Sequence, residues 1–266
     1  GGGKSPHVVD QAGLEALATA ANGAAIRRAD GREVTSVAFV QCAGQRDDSG
    51  RHLPYCSGHC CATSIKQAMY FKDANPAVET VVLYSDLRVP GMGEDFYRRA
   101  QDKGVIFTKA KVSAVDAAGE GCTVRFRDLI LDDDVALPAD LVVLATGQVA
   151  NAGIDIDLAD ENPAKAQQVS ILNLDYRQGK DLPQLTHGFS DSHFICFPYE
   201  TRRTGIYAAG PVRRPMDIAQ AAEDATGAAL KAIQAIENAA AGRAAHPRSG
   251  DLSYPIVRLE GCTQCK

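Results

Sequence analysis

The sequence predicts an α/β fold: a parallel sheet whose strands are joined by crossover helices. Between residues 35 and 147, apolar β-branched runs alternate with segments of helical period, giving strand, helix, strand, helix, strand. The last of these runs, Ala139 to Gly147, is almost continuously apolar and passes directly into a glycine turn, as a strand buried on both faces does. Right-handed crossovers bring such strands side by side.

Taken in order, residues 11–30 read as a helix, with Leu14, Leu17, Ala18, Ala21 and Ala25 at helical spacing and Gly23 weakening its end. Thr35 to Gln41 is a short buried strand. Ser57 to Phe71 is a helix carrying Ile65, Ala68, Met69 and Tyr70, and Pro76 ends that region. Val78 to Tyr84 is a second strand, and Glu94 to Lys103 a helix stopped by Gly104. Val105 to Lys109 and Lys111 to Val115 are strand-like, Cys122 to Phe126 alternates, and Asp132 to Asp134 marks a turn or edge. Residues 150–190 are weakly patterned and predict long loops with one or two short strands. Gly205 to Gly210 reads as a buried strand ending in glycine. Met216 to Ala240 reads as a long helix with Ile218, Ala222, Ala225, Ala229, Ala232 and Ile233 on a narrow apolar face. The architecture is Rossmann-like.

Composition narrows the function classes. Apolar residues make up 45% of the chain and charged residues 23%, ordinary values for a globular protein. With no Trp and a net charge of −5, the chain lacks both a stacking surface and the positive field of a nucleic-acid binder. No apolar run approaches the ~20 residues that span a bilayer. Gly1 to Asp10 has neither the basic leader nor the apolar stretch of a signal peptide. The expectation is a cytoplasmic chain that meets a membrane only through partner subunits.

The eight cysteines are unevenly placed. Cys42, Cys56, Cys60 and Cys61 are clustered, Cys262 and Cys265 form a CxxC pair, and Cys122 and Cys196 stand alone in apolar surroundings as small buried hydrophobes. In a reducing compartment, clustered thiolates bind metal more often than they pair as disulfides. Cys42 ends a strand, and the other three lie where a loop becomes the first turn of a helix. Strand end and helix start are neighbours in a βα unit, and exposed N–H groups there favour anionic sulfur. Four thiolates suit zinc or an iron–sulfur cluster. Adjacent Cys60 and Cys61 splay by roughly 100° on a helix start, which suits a broad cluster better than one tetrahedral ion. Zinc and plain buried thiols remain as alternatives.

The runs Val37 to Asp47 and Tyr55 to Cys61 resemble the flavoprotein family formed by the A-subunits of heterodisulfide reductase. So do Tyr84 to Arg88, Gly93 to Tyr97, Gly205 to Gly210 and Pro215 to Ile218, so that the resemblance covers about residues 35–235. The acidic tone and the Cys262/Cys265 tail look like the related flavin subunits of the quinone-interacting oxidoreductase of sulfate reducers, such as its B subunit. The resemblance implies a thioredoxin-reductase-like FAD/NAD-binding fold, FAD, and a 4Fe–4S cluster on Cys42, Cys56, Cys60 and Cys61. It also implies electron relay within a multi-subunit complex. On this reading the chain divides into an N-terminal helical segment (1–34), a Rossmann-like domain carrying the cysteine cluster (35–147), the remaining part of an FAD-binding-type domain (148–240), and a linker with a truncated ferredoxin-like start (241–266).

The departures are informative. A dinucleotide-binding unit needs G-x-G-x-x-G after its first strand, so that the pyrophosphate can approach the backbone. Here Cys42, Ala43, Gly44, Gln45 and Arg46 follow, which predicts that a cluster occupies the place of the pyrophosphate and that NAD(P) is disfavoured. The N-terminal FAD fingerprint is absent, and Gly1 to Ser5 is a poor P-loop match. Thr146, Gly147, Gly210, Pro215, Met216, Asp217 and Ile218 are the remaining flavin-side candidates, so FAD binding by this chain is expected to be weak or absent. Arg202, Arg203, Arg213 and Arg214 read as solvated charge, His59 as an exposed or supporting residue, and Arg46 and Lys66 as candidate neutralisers of cluster charge. No catalytic triad or paired-carboxylate site stands out. The expected function is electron transfer, with a thiol–disulfide oxidoreductase or a zinc-stabilised interaction module as alternatives.

Overall fold

A computed structural model describes residues 5–119, 121–150, 184–191, 198–201, 203 and 205–243. Two compact units divide the chain at Gln148/Val149.

The first unit holds seven strands: β1 (Val8–Asp10), β2 (Ser36–Val40), β3 (Glu79–Tyr84), β4 (Ile106–Ala118), β5 (Gly121–Asp128), β6 (Asp133–Ala139) and β7 (Leu141–Leu144). They form one sheet in the order β1-β7-β2-β3-β4-β5-β6. Pairing is parallel from β1 to β4 and antiparallel from β4 to β6. This is an α/β Rossmann-like sheet with an antiparallel extension. Helices α1 (Gln11–Ala21), α2 (Cys60–Ala74) and α3 (Gly93–Asp102) complete the unit.

Strand alternation explains the two-sided core. Val37 and Phe39 of β2, with Leu141 and Val143 of β7, pack among Leu14, Ile65 and Phe71 of the helices. Ala38, Val40 and Val142 face the other way, against Val124 and Phe126 of β5. Cys122 belongs to this second core and is 4% exposed, in keeping with its reading as a small hydrophobe. Both faces of the central strands are therefore covered, which is why their sequences read as continuous apolar runs.

Several elements differ from expectation for identifiable reasons. Helix α1 stops at Ala21 rather than near residue 30, because Asn22 (φ 47°) and Gly23 (φ 84°) turn left-handed and cap it. Its start is fixed by Asp10, whose carboxylate accepts from the Gly13 N–H at 2.7 Å. β1 pairs with β7, so the N-terminal segment is built into the sheet unit rather than being only helical. The two expected strands around residue 110 are one long strand, β4, with an irregular register between Val112 and Ala114. The acidic run at residue 132 opens β6, an edge strand that tolerates Pro138 because one side needs no ladder partner.

Asp140 ties the turn before β7 to the start of β2. Its carboxylate accepts from the Thr35 N–H (2.8 Å), the Thr35 hydroxyl (2.6 Å) and the Ser36 N–H (3.0 Å). Partial burial pushes its pKa up, but these bonds outweigh that and leave it lowered.

In the second unit, Gly205 to Gly210 is not a strand. Tyr207 forms an isolated bridge with Glu200, and Gly210–Val212 is a 3-10 turn. Helix α4 (Ile218–Ala240) starts on Asp217, whose carboxylate accepts from the Gln220 N–H at 2.8 Å. Its buried residues are Asp224 and Ala228, whereas Ile218 is 89% exposed and Ile233 is 49% exposed among the described residues. The expected apolar face is therefore not the buried one. Asp224 explains the difference: it accepts the Gly210 N–H at 2.7 Å and pairs with Arg213, drawing its own side of the helix inward. Arg213 is correspondingly half-buried rather than solvated, and its guanidinium stacks on Tyr199 at 4.5 Å. Arg203 is also buried, at 2% exposure. Among the described residues, no helix is long and apolar enough to cross a membrane.

Candidate metal centre

Strand β2 delivers Cys42 at its carboxyl end, and Cys60 and Cys61 open α2. Cys56 lies in the loop between them. Helix α2 begins at Cys60 rather than at Ser57, because Ser57 is taken up elsewhere: both its N–H and its hydroxyl donate to Gln45 Oε1. His59, at the cap position, makes no side-chain cap hydrogen bond, which leaves the first-turn N–H groups of α2 to other acceptors. The His59 imidazole is half-buried, its Nδ1 has no partner among the described residues, and burial lowers its pKa.

All four cysteines are free thiols. Cys42 stands in the left-handed region at φ 55°, where a glycine would be at ease and a cysteine costs about 1–2 kcal/mol. Burial raises the pKa of the Cys42 thiol, against the opposing pull of the Arg46 guanidinium that donates to it. Cys60 is pushed up to about 12, first by burial and then by the neighbouring Cys61, Cys42 and Cys56 sulfurs. Burial also raises Cys61, with Cys42 and Cys56 adding to the effect. The four sulfurs thus lie within electrostatic reach of one another, and burial holds Cys42, Cys60 and Cys61 neutral unless a cation joins them.

Hydrogen-bond donors face these sulfurs. Arg46 donates to Cys42 and is itself held by Asp86 at 2.6 Å. The Gly58 N–H lies 3.4 Å from Cys56 Sγ, and the Arg88 N–H bonds Cys61. The expected role of Lys66 does not hold: it pairs with Glu15 at 2.6 Å, on the side of α2 facing α1. Among the described residues, no three His, Cys, Asp or Glu side chains are gathered closely enough to grip one metal ion. Thiolates on a single zinc must sit about 3.8 Å apart, from a Zn–S distance of about 2.3 Å.

A polar clamp that the sequence did not reveal holds the cysteine loop. Besides accepting from Ser57, the Gln45 carboxamide donates to the Gln148 carbonyl at 3.3 Å. The Tyr55 hydroxyl donates to the same carbonyl at 3.0 Å, and the Gln148 N–H donates to Ser57 Oγ at 2.7 Å. Gly147 (φ 84°) lies against this carboxamide, and a Cβ there would overlap it. The outer loop is rigid as well. Asp47 accepts from the Ser49 hydroxyl and N–H and from the His52 and Arg51 N–H groups, which lowers its carboxyl to about 2. The only sequence hint of the clamp was a glycine closing β7.

The flavin-side candidates fall in separate units. Thr146 and Gly147 are in the first, where Gly147 serves the clamp. Gly210, Pro215, Met216, Asp217 and Ile218 are in the second. There the Gly210 N–H is bound by Asp224, Asp217 caps its own helix, Met216 is buried, and Ile218 is exposed. The Gly210 N–H and the Asp217 carboxylate thus already have structural partners within their unit. Cys196, Cys262, Cys265, Arg202 and residues 1–4 lie outside the described residues.

Comparison with known proteins decides the family. The chain is 32% identical to the A-subunit of the H2:CoB–CoM heterodisulfide,ferredoxin reductase of Methanothermobacter thermautotrophicus, over 87% of this chain and 33% of that protein. By sequence, the chain belongs to the heterodisulfide reductase A-subunit family. The iron-sulfur A-subunit of the CoB–CoM heterodisulfide reductase of Methanocaldococcus jannaschii is 33% identical over 77% of this chain and 29% of its own length. An iron-sulfur A-subunit of the Methanopyrus kandleri enzyme is 30% identical over the whole chain and 38% of that protein. The chain therefore spans about a third of the length of these relatives. No family model matches. Among solved structures, Lactococcus lactis thioredoxin reductase aligns with a TM-score of 0.45 at 14% identity, covering 76% of this chain and 53% of that one.

Proposed function

We propose that this chain is an electron-transfer module of a heterodisulfide-reductase-like complex, with Cys42, Cys56, Cys60 and Cys61 as the ligands of a 4Fe–4S cluster. The observation that carries the reading is the left-handed Cys42, kept at the strand end within electrostatic reach of three further thiols. A cysteine held where glycine costs least is retained for its sulfur. The iron-sulfur names of two of the relatives support the same ligand chemistry.

Such a cluster supplies a one-electron redox centre when bound. The chain's own part is to place and bias it. The clamp of Gln45, Ser57 and Gly147 fixes the loop that carries Cys56. Donation from Arg46, Gly58 and Arg88 to three of the sulfurs stabilises negative charge there and raises the reduction potential. With Cys42 in place of the first glycine of a dinucleotide turn, the pyrophosphate position is taken, and NAD(P) is not the partner of this unit. Partner subunits, indirect contact with a membrane and a cytoplasmic setting belong to the proposal, as does FAD binding that needs more of the polypeptide than this span. The relatives' names, which make each of them one component of a larger enzyme, support the partners; that the chain is a fragment of the B subunit of a sulfate reducer's quinone-interacting oxidoreductase is a narrower form of the same reading.

Cys42→Gly tests it. Relief of the left-handed strain should leave the fold as stable or stabilise it by about 1 kcal/mol, while stoichiometric iron and the EPR signal of the reduced protein are lost. Full iron and an unchanged signal in Cys42→Gly would remove Cys42 from the ligand set. A metal-free wild type that titrates as a two-electron dithiol would instead favour thiol–disulfide chemistry.

A further inference from the structure

Strand β4 outruns one of its two neighbours. β3 ends at Tyr84, opposite Lys109, whereas β5 pairs with β4 along Ala110–Ala118. From Lys111 onward the other side of β4 makes no main-chain hydrogen bond to any described residue. Alternate residues of a strand direct their N–H and C=O groups to each side, so this side is a row of donors and acceptors open to pairing. It does not lie on the outer surface. Residues 110–115 line a cleft of about 530 Å³ together with Val40, Leu83, Leu144 and the turn at residues 42–46. Because the edge is recessed in this cleft, a single extended chain reaches it, whereas the identically recessed edge of a second copy does not.

The lining sets the chemistry of that chain. Val112 packs with Val40 and Leu83 on the face of the second core, and Lys111, one residue earlier, points to the opposite face. Arg46 is engaged by Asp86, so Lys111 is the lysine or arginine left to meet a ligand. It is exposed and makes no ion pair among the described residues, and no carboxylate lines the cleft there. A neighbouring strand would therefore meet apolar side chains on one face and a cation on the other. We infer that the cleft is a docking groove for an extended segment of a partner protein, one that alternates apolar and acidic residues. The segment adds a strand to the open side of β4, in the lane that β3 leaves at Tyr84. Main-chain bonds supply the affinity, and its side chains, apolar toward Val112 and Leu83 and acidic toward Lys111, supply the selectivity. At about 3.3 Å per residue, the groove along residues 111–115 takes roughly five residues.

The inference does not depend on a bound cluster, and the full chain serves for its test. The probe is a blocked hexapeptide alternating valine and aspartate, followed by calorimetry and amide hydrogen exchange. It should bind saturably below millimolar concentration and slow exchange of the open-side amides between residues 111 and 115. N-methylation of all its valines, or of all its aspartates, removes the donors of one edge at a time. One of these two forms should bind weaker by about tenfold or more, and the other should keep its affinity. Serine in place of aspartate should weaken binding by about two- to fivefold in the wild type and leave it unchanged in the exposed variant Lys111→Gln. The absence of saturable binding at millimolar concentration would overturn the inference. So would an equal response of the two methylated forms, or a serine effect in Lys111→Gln as large as in the wild type.

Discussion

Replacing Cys60 or Cys61 by Ser should abolish stoichiometric iron, taking the content from four per chain to well below one. Both side chains are buried at the first turn of α2, and both feel the sulfurs of Cys42 and Cys56 across the site. Serine keeps the size of the side chain but not the soft, ionisable sulfur that iron in a cluster requires. The fold itself should change little, because the buried thiols of the metal-free form are held neutral by burial and by one another. Iron analysis after anaerobic purification, with circular dichroism as the fold control, reads the two effects apart. Unchanged iron in both variants would refute the ligand assignment.

Gly147→Ala should destabilise the first unit by about 2–4 kcal/mol and loosen the metal site with it. Two costs add. The backbone is left-handed at φ 84°, and the new methyl overlaps the Gln45 carboxamide, which is buried and fully engaged. Moving Gln45 releases Ser57, and Cys56 is the residue before it. Gly23→Ala separates the costs: its φ is also 84°, but nothing lies within 4 Å of the added Cβ. It should cost about 1–2 kcal/mol and leave iron content intact. Urea midpoints with iron retention measure both variants, and equal losses in the two would deny the clamp.

The parts of the fold legible in the sequence are those whose residues obey a single local rule. β2, β3 and β7 are buried on both faces and read as apolar runs, and α2 and α3 carry helical periodicity closed by Pro76 and Gly104. β1 escaped because three residues are too few for a pattern, and its partner β7 lies more than a hundred residues away. β6 escaped because an edge strand can be acidic and contain a proline. In the second unit, one buried carboxylate, Asp224, overrode the apolar stripe of α4, a long-range electrostatic choice that periodicity does not encode. At the candidate metal centre, cysteine spacing singled out the four thiols that the proposal uses. The Gln45 clamp was invisible, since a glutamine carries no spacing signature and gains its role only from tertiary neighbours.

The most direct test of the central claim is quantitation of iron, inorganic sulfide and zinc per chain after anaerobic purification. The account predicts four irons and four sulfides with no zinc. One zinc with neither iron nor sulfide would contradict it and make the four cysteines a structural site.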